Sequence, residues 1–594
     1  MVLGISCYYH DAGAALVRDG QLIAAAEEER FNRKKHHNGF PQQAIQYCLA
    51  EAGIDIHQVD HITFYEKPLV KFDRILETIL AYWPRTLRPW LKAMPLWLGQ
   101  RLAMANDIQK QLGVDVDILF NEHHLSHAAS AFLVSPFEEA AILTADGVGE
   151  WASTAWGVGS GTEIDIRQEL RFPHSVGLLF SAVTAYLGFR VNDAEWKVMG
   201  LAPYGKPTYV DKFAEIVDVK EDGSIRLNLD YFAHPYSTTR THSDKWEELF
   251  GQPQRKTESE LTDFHRDLAH SGQKVVEDIM VKMARHVQAE TGMKKLCMAG
   301  GVALNCVANW RILQETDFDE VFIQPAAGDS GGALGAAFYT YNTVLKQPRT
   351  FSMKHGYWGP TFDDKAIRES LEHFNARFET CSNEKELLQK TAAMIADGKV
   401  VGWYQGRMEF GPRALGARSL LADARDEKMK DVINAKVKFR EAFRPFAPAI
   451  LRERLHEYFD VPEKEMDLPY MLMVPSVLKE RRSEIQAVTH KDGTGRVQTV
   501  TEADNGIYYR LIKAYEEITG VPVVINTSFN VRGEPIVCTP ADAYDTFVRT
   551  GIDALVIGSY IVTEKPAEVD YDAGMRRSVE LEQNTRMAES VSLR

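Results

Sequence analysis

The chain has 594 residues, which is enough for two to four domains with well-filled cores. Its 45% apolar and 25% charged residues are typical of an ordinary globular protein. A formal net charge of -15 argues against a broad nucleic-acid footprint, so we expect no nucleic-acid partner, although local basic clusters could bind a small anion.

The N-terminus and the cysteines indicate the compartment. Residues 1–6 lack a basic region and a cleavage site, so they predict a first strand rather than a signal peptide. No apolar run approaches the length of a membrane span. The six cysteines are scattered and form no CxxC pair, which favours reduced, buried thiols. We therefore predict a cytoplasmic protein without a membrane span.

The first predicted element is a β-hairpin near the N-terminus. Apolar runs at residues 14–17 and 21–25 flank Asp19-Gly20, a pair that favours a hairpin turn. His10 follows the first strand, residues 2–6, on a tight polar turn. At that place it could face a phosphate or a reacting hydroxyl, although most turn histidines are simply solvated.

The next segments are a charge run, a helix and an aromatic stretch. The charges of residues 27–37 predict a solvated face or loop, and a helix follows from Phe40-Pro41 to Gly53. Residues 67–113 are aromatic and basic, which could describe a helix on a membrane surface. Because prolines interrupt any long amphipathic period, we favour a packed insertion or a lid over an acceptor pocket.

The chain is organised around residues 121–150. His123 and His127 are four apart, so a helix would present both imidazoles on one face. An apolar run then ends in Asp146-Gly147-Val148-Gly149, which would bring a carboxylate and bare backbone amides to a metal-bound nucleotide phosphate. Two imidazoles and a carboxylate suit Zn, Fe(II) or Mn(II). A chance histidine pair and an ordinary hairpin turn are the alternatives.

Beyond this centre we predict a structured loop near a site, an insertion and a long helix. The loop covers residues 192–205, with a Gly/Pro close, and the insertion covers residues 206–262, with a hairpin at Asp222-Gly223. The helix carries apolar residues from Val275 to Val287 and stops before Gly292. Its methionines are typical of a core.

Two further glycine-rich turns follow strand-like runs. Gly300-Gly301 precedes a helix that opens near Asn305, and such a turn lets the backbone approach a nucleotide closely. Asp329 lies at a glycine-rich helix start, where a carboxylate is either a cap or a ligand. Together with Asp146, these turns predict a two-lobed actin/sugar-kinase-like ATP fold, with the nucleotide in a cleft between two α/β halves.

Residues 346–365 are the best domain boundary, because they are rich in Pro, Gly and polar groups. The second domain is predicted to open with a helix near residues 386–396 and a strand at 399–404. Basic residues then recur among apolar and aromatic ones, and guanidinium forks in such surroundings bind phosphate or carboxylate. We predict an anion site formed by Arg413, Arg418, Lys438, Arg440 and Arg444, with further donors from residues 525–535.

The motifs together resemble one family over roughly residues 2–570, in the expected order. They are HHLSH, DGVGEW, KVMGLAPYG, CMAGGVALN, PAAGDSGGALGAA, GRMEFGPRALGARS, KFREAFRPFAP and NTSFNVRGEPIV. The chain resembles O-carbamoyltransferases of the nodulation-protein-U and tobramycin-carbamoyltransferase type. One departure is Ser126, where the related tRNA-modifying branch usually has Gly, which counts against a tRNA substrate.

The resemblance implies two domains and two half-reactions. Residues 1–345 would form an actin/sugar-kinase-like (threonylcarbamoyl transferase-like) carbamoyl-transfer domain, with insertions near 60–115 and 206–262. Residues 366–575 would form a YrdC-like α/β domain that makes carbamoyladenylate from carbamoyl phosphate and ATP. Residues 576–594 would be a mobile tail. The acceptor would be a hydroxyl of a natural-product or sugar-like small molecule.

The resemblance also implies the roles of individual residues. His10 would be the base, and a divalent metal would be held by His123, His127, Asp146 and Asp329. Lys438 and Arg444 would act in the second domain, where ATP would bring Mg. The predicted nucleotide and phosphate contacts are Gly147, Gly149, Gly300, Gly301, Asn305, Arg413, Lys438, Arg444, Arg496, Asn526 and Ser528.

Two other functions stay open at this point. A small-molecule kinase of the sugar-kinase class would explain the N-terminal motifs but leave the Arg-rich second domain idle. A non-catalytic ATP-binding sensor predicts missing ligands, whereas all the expected histidines and aspartates are present. A homodimer is an open alternative for the assembly.

Overall fold

A computed structural model describes residues 1–438, 440–441, 443–462 and 466–566, so the predicted tail at 576–594 lies outside the described residues. The chain forms two compact units. The first consists of Met1–Glu28 and His36–Met353, and the second of Glu29–Lys35 and the chain from Lys354 onwards. All six cysteines are buried and none forms a disulfide, as predicted.

The first unit contains two five-stranded sheets. The strands of one are β1 (Val2–Ser6), β2 (Gly13–Arg18), β3 (Gln21–Glu27), β4 (His61–Phe64) and β5 (Ile118–Phe120). The strands of the other are β6 (Glu139–Ala145), β7 (Ala152–Ser160), β8 (Glu163–Arg171), β11 (Lys295–Ala299) and β12 (Glu320–Phe322), whereas β9 (Val217–Val219) and β10 (Ile225–Leu227) form a separate hairpin. The predicted turn at Asp19-Gly20 joins β2 to β3.

Both five-stranded sheets have the same topology. Their orders are β3-β2-β1-β4-β5 and β8-β7-β6-β11-β12, each with three antiparallel strands followed by two parallel ones. Such a duplicated α/β lobe is what the predicted two-lobed actin/sugar-kinase-like fold requires, and that prediction is confirmed.

Helices surround and separate these sheets. They are α2 (Gln42–Ala52), α3 (Pro68–Ala81), α4 (Leu87–Gly99), α5 (Met104–Leu112), α6 (His123–Phe132), α7 (Val176–Tyr186), α8 (Glu195–Leu201), α9 (Val210–Ile216), α10 (Lys245–Phe250), α11 (Asp263–Thr291), α12 (Cys306–Glu315) and α13 (Ser330–Phe338). The methionines of α11 are buried, as predicted for a core helix. No helix among the described residues has the length and apolar character needed to cross a bilayer.

The second unit is α/β, as predicted for a YrdC-like domain. Its eight-stranded sheet has the order β13-β22-β21-β14-β15-β20-β16-β19, and β17 pairs with β18. The strands are β13 (Glu379–Thr380), β14 (Val401–Tyr404), β15 (Arg418–Asp423), β16 (Ala447–Leu451), β17 (Phe459–Asp460), β18 (Ser476–Val477), β19 (Gln498–Val500), β20 (Val523–Ser528), β21 (Ala554–Ile557) and β22 (Tyr560–Val562). The helices are α1 (Glu29–Asn32), α14 (Asp364–His373), α15 (Glu384–Ala396), α16 (Lys428–Ile433), α17 (Leu455–Tyr458), α18 (Gly506–Thr519) and α19 (Pro540–Val548).

Three local predictions were wrong. The charge run is not a solvated face, since the side chains of Glu27, Glu28 and Arg30 are buried. Residues 192–205 are not mainly a loop, because α8 begins at Glu195, whose carboxylate accepts the backbone N–H of Asn192 at 2.8 Å. The second unit does not open with α15, since α14 precedes it.

Candidate functional site

Helix α6 presents His123 and His127 to the interior of the first unit. Their Nε2 atoms are 3.1 Å apart, and both side chains are buried. The start of the helix is fixed by Glu150, whose carboxylate accepts the backbone N–H of His123 at 3.0 Å. Glu150 also accepts the N–H of Lys67 at 2.7 Å, so one buried carboxylate orients two segments.

Asp146 reaches the same point from the end of β6. Its Oδ2 lies 3.2 Å from Nε2 of His123, and its Oδ1 accepts the backbone N–H of Gly301 at 2.8 Å. Gly301 follows β11, which pairs in parallel with β6. Because parallel neighbours end at the same edge of a sheet, the two predicted turns lie side by side.

Asp329 completes the cluster, and its side chain does not cap the helix that follows, α13. Its Oδ1 lies 3.5 Å from Nε2 of His127 and 3.7 Å from Nε2 of His123. Neither carboxylate oxygen has a hydrogen-bond donor among the described residues. One ligand atom from each of the four residues predicted to bind metal lies within 4.8 Å of the others.

Charge at this cluster is balanced between imidazoles and carboxylates. Burial alone would lower the pKa of His123, but Asp329 and Asp146 raise it to about 9. Burial would likewise raise the pKa of Asp146, but His123 and His127 hold it well below its usual range. The neighbouring His124 is different, because burial and the two imidazoles lower its pKa. A buried set of two imidazoles and two carboxylates fits a divalent transition metal.

His10 lies beside this cluster at the end of a chain of side chains. Its Nε2 is 3.7 Å from Oδ2 of Asp329, and its Nδ1 is 2.9 Å from Oδ2 of Asp11. The other oxygen of Asp11 is 2.7 Å from Nδ1 of His36, whose Nε2 is 2.8 Å from Asp193. Sequence reasoning found His10 but missed the other three, because His36 falls in the charge run.

The predicted nucleotide-lining residues differ in their surroundings. Gly300 has φ +93°, and a Cβ there would lie 2.2 Å from the carbonyl oxygen of Ala145. A Cβ at Gly149 would meet the ring of His123, whereas nothing lies within 4 Å of one at Gly147. Asn305 is buried and caps α12, so its amide serves the helix, and its contact with a nucleotide stays a prediction.

Lys438 anchors the predicted anion site of the second unit. Its Nζ donates to Oδ1 of Asn530 at 2.8 Å and to Oγ of Ser528 at 3.2 Å. The side chain is buried, and burial together with Arg440 and Arg444 lowers the pKa of Lys438 well below its usual range. A buried lysine beside other cations is favoured by a bound anion, which would raise its pKa again.

Some of the other basic residues lie near Lys438, and others do not. Arg440 lies within electrostatic reach of Arg444 and Arg496, so positive charge concentrates near Lys438. Arg413 is half-buried on the loop between β14 and β15. Arg418 was predicted to bind an anion, but it is fully buried, stacks 3.6 Å from the ring centroid of Tyr404 and donates to backbone carbonyls, so its role is structural.

One support of this site, Glu409, was not predicted, and one predicted residue, Asn526, has another partner. The buried carboxylate of Glu409 accepts the backbone N–H groups of Leu415 and Ala417, both at 2.7 Å, and so fixes the loop that carries Arg413. Asn526, predicted to contact phosphate, donates to Oε1 of Gln498 at 2.7 Å. Its amide nitrogen thus serves the sheet, and a phosphate contact stays a prediction.

Comparison with known proteins identifies the family of this chain. The family profile described as carbamoyltransferase N-terminus matches residues 1–338, and that described as carbamoyltransferase C-terminus matches residues 392–564. The chain belongs to the carbamoyltransferase family. It is therefore an enzyme that transfers carbamoyl groups, as the sequence motifs predicted.

Several relatives of this carbamoyltransferase match along most of its length. An uncharacterized protein of Synechocystis is 48% identical and covers 95% of this chain and 96% of its own. Nodulation protein NolNO of Sinorhizobium fredii is 41% identical, over 94% of this chain and 80% of its own. Nodulation protein U of Rhizobium tropici is 29% identical, over 88% of this chain and 90% of its own.

Proposed function

We propose that this carbamoyltransferase uses ATP and carbamoyl phosphate to form carbamoyladenylate and passes the carbamoyl group to a hydroxyl of a small natural-product or sugar-like acceptor. The observation that carries the proposal is the contrast between two sites. One is a buried cluster of imidazoles and carboxylates with a histidine at its edge, and the other is a buried concentration of cations. Each suits one half-reaction.

The cationic site suits formation of carbamoyladenylate. Carbamoyl phosphate and ATP are polyanions. Water would convert carbamoyl phosphate to carbamate and phosphate, and an oxygen of the carbamate would then attack the α-phosphorus of ATP and release pyrophosphate. Lys438, Arg440 and Arg444 would stabilise the charge that develops on the departing phosphate oxygens. The hydrogen bonds of Lys438 to Ser528 and Asn530 hold its ammonium group in place for this task.

His10 suits the transfer step. The oxygen of the acceptor attacks the carbamoyl carbon, the bond from that carbon to the adenylate oxygen breaks, and AMP leaves. Nε2 of His10 would take the proton of the hydroxyl, because Asp11 holds the Nδ1 side of the ring at 2.9 Å. The chain from Asp11 through His36 to Asp193 fixes the ring orientation.

The residues His123, His127, Asp146 and Asp329 would hold a divalent metal in the first unit, as Fe(II), Mn(II) or Zn. Such an ion polarises a bound carbonyl or phosphoryl oxygen. The backbone N–H of Gly301 holds Oδ1 of Asp146, one of these four side chains. Mg would accompany ATP.

The first test needs no acceptor. The purified protein is incubated with ATP, carbamoyl phosphate and a divalent metal, and pyrophosphate and carbamoyladenylate are followed by mass spectrometry. Both products should form only when carbamoyl phosphate is present. ADP without adenylate would support the sugar-kinase alternative, and no turnover with ATP still bound would support a sensor.

Two variants separate the half-reactions. Lys438→Ala should lower adenylate formation by at least about a hundredfold, because a charge that contacts the leaving phosphates is lost. Lys436→Ala is the matched control, since Lys436 is exposed in the same helical turn. His10→Asn should leave adenylate formation intact and stop transfer to an acceptor. Equal loss of the first half-reaction in both site variants would contradict separate sites.

A further inference from the structure

Exposed apolar side chains concentrate in one segment of the first unit. The described residues include ten large apolar side chains that are exposed, and seven belong to residues 68–98. They are Leu69, Val70, Leu80, Trp83, Leu87, Leu91 and Leu98. Single exposed apolar residues are ordinary, whereas a contiguous group marks a surface that binds something.

Helix α4 has a buried inner face and an exposed outer face, and both carry apolar side chains. Its inner face packs Met94 and Trp97 against Ile75 and Ile79 of α3, so the hairpin of α3 and α4 has a core of its own. Its outer face carries Leu87, Leu91 and Leu98, which are 44%, 65% and 65% exposed. Because these residues follow helical spacing, they form one stripe.

Basic side chains lie beside this stripe of leucines. Exposed Arg88 and Lys92 alternate with the leucines along the outer face of α4, and exposed Arg85 precedes it. Residues 78–106 contain four basic and no acidic residues, although the whole chain has a net charge of -15. Leucine and tryptophan beside arginine and lysine, on a helix too short to span a bilayer, are typical of a helix that lies in a membrane interface.

We propose that the outer face of α4 docks this carbamoyltransferase on an anionic lipid surface. The leucines and Trp83 would enter the boundary between headgroups and acyl chains, and Arg85, Arg88 and Lys92 would lie among the phosphates. Charge decides between this occupant and a second copy of the chain. A two-fold dimer through this face would oppose cations with cations, whereas anionic lipid complements them.

Sedimentation with lipid vesicles tests the proposal on the full-length protein. Vesicles of equal parts phosphatidylglycerol and phosphatidylcholine should bind the protein, and vesicles of phosphatidylcholine alone should bind it far less. Bound protein should fall as salt is raised. The double variant Leu91→Ser, Leu98→Ser should bind at least about tenfold more weakly. Arg88→Gln and Lys92→Gln should each weaken binding roughly fivefold.

The control removes exposed apolar residues elsewhere. Phe374→Ser together with Ile518→Ser should leave vesicle binding unchanged, although both side chains are exposed. Because all the substituted residues are at the surface, the thermal midpoints should agree within a few degrees. The proposal fails if anionic vesicles do not bind, or if the Leu91, Leu98 variant binds as well as the parent. A dimer in analytical ultracentrifugation that this variant dissociates would assign the face to self-association instead.

Discussion

Asp11 joins two histidines through its two carboxylate oxygens, one toward His10 and one toward His36. Burial would raise the pKa of Asp11, but His36 and His10 hold it well below its usual range, so it stays a carboxylate. The backbone at Asp11 and His36 has φ of 49° and 54°, a left-handed conformation that residues other than glycine seldom adopt. Strain of this kind persists where surrounding contacts fix it, and it often accompanies function.

The substitution Asp11→Asn should disturb the orientation of His10 without changing adenylate formation or metal binding. An amide cannot accept from both rings as a carboxylate does, so His10 should lose its fixed orientation and transfer should slow by at least about a hundredfold. Formation of carbamoyladenylate and the metal content should not change. Asp19→Asn, in the β2–β3 turn, is the control. Equal slowing of adenylate formation and transfer would show that Asp11 stabilises the protein as a whole rather than orienting His10.

Asp329→Asn should weaken metal binding by at least about a hundredfold, because an amide oxygen replaces a carboxylate at a buried site. Metal analysis of the purified protein measures the loss directly, and a chelator should lower the thermal midpoint of the parent but not of the variant. His124→Asn is the control, since His124 adjoins the cluster but pairs with Thr144 at 2.8 Å. Loss of metal in the His124 variant alone would contradict the assigned ligands.

At the scale of elements, the spacing of the proposed metal ligands depends on how closely α13 packs on α6. A Cβ at Gly335 of α13 would lie 1.8 Å from the carbonyl oxygen of Ser126 in α6. Because the atom it would meet is backbone, a side chain could not simply move aside. Helix α6 carries His123 and His127, and α13 begins directly after Asp329, so the contact sets the spacing of the cluster.

Gly335→Ala should therefore affect stability and metal binding together. We expect a loss of about 1–3 kcal/mol in the free energy of unfolding, with weaker metal binding. Urea denaturation and metal analysis measure the two effects. Gly99→Ala is the control, because nothing lies within 4 Å of a Cβ there. Its free energy of unfolding should change by less than about 0.5 kcal/mol. If the Gly335 variant had the same free energy of unfolding and metal content as the control, α6 and α13 could move apart without affecting stability or metal binding.

The elements that sequence predicts well are those whose signal is local. The spacing of His123 and His127, the Asp19-Gly20 hairpin and the apolar stripe of α11 each depend on a few neighbouring residues. Asp329 was left as cap or ligand, because its partners lie about 200 positions earlier in the chain. The pairing of His36 with Asp193, 157 positions apart, has no local signal at all.

Other predictions were wrong because charged side chains were expected to face a ligand or the solvent. Arg418 was placed at the anion site by its basic character, but its guanidinium instead satisfies backbone carbonyls around Tyr404. Glu27, Glu28 and Arg30 were placed at the surface for the same reason. Buried charges need partners, and composition alone does not show whether the fold supplies them.

At the scale of the molecule, buried titratable groups set the response to acid. The ring of His234 contacts the rings of Phe172 and Phe232, and its Nε2 donates to the carbonyl of Pro173 at 3.1 Å. Burial lowers the pKa of His234 to about 4. The unfolded chain has a histidine pKa of about 6.5, so between these values only the unfolded state takes up the proton.

Acid should therefore destabilise the protein through His234. Above about pH 6.5 the residue is neutral in both states and has no effect. As the pH falls from about 6.5 to about 4, the free energy of unfolding should drop by about 3 kcal/mol, and below that interval the loss should level off. His234→Gln should remove this part of the slope in urea denaturation at several pH values, and His57→Gln, at an exposed site, should not. Parallel curves for the parent and His234→Gln would contradict the assignment.

The short segment Glu29–Lys35 is synthesised early but belongs to the second unit. Arg30 donates to the carbonyl of Gly411, 381 positions later, Arg33 to that of Ile536, 503 positions later, and Phe31 packs beside Met408. On a ribosome that adds about 5–20 residues per second, these seven residues wait on the order of tens of seconds for their partners. The second unit therefore cannot be completed from the C-terminal part of the chain alone. A fragment that starts at residue 354 would lack part of its own core, so we expect it to need the N-terminal segment supplied in trans.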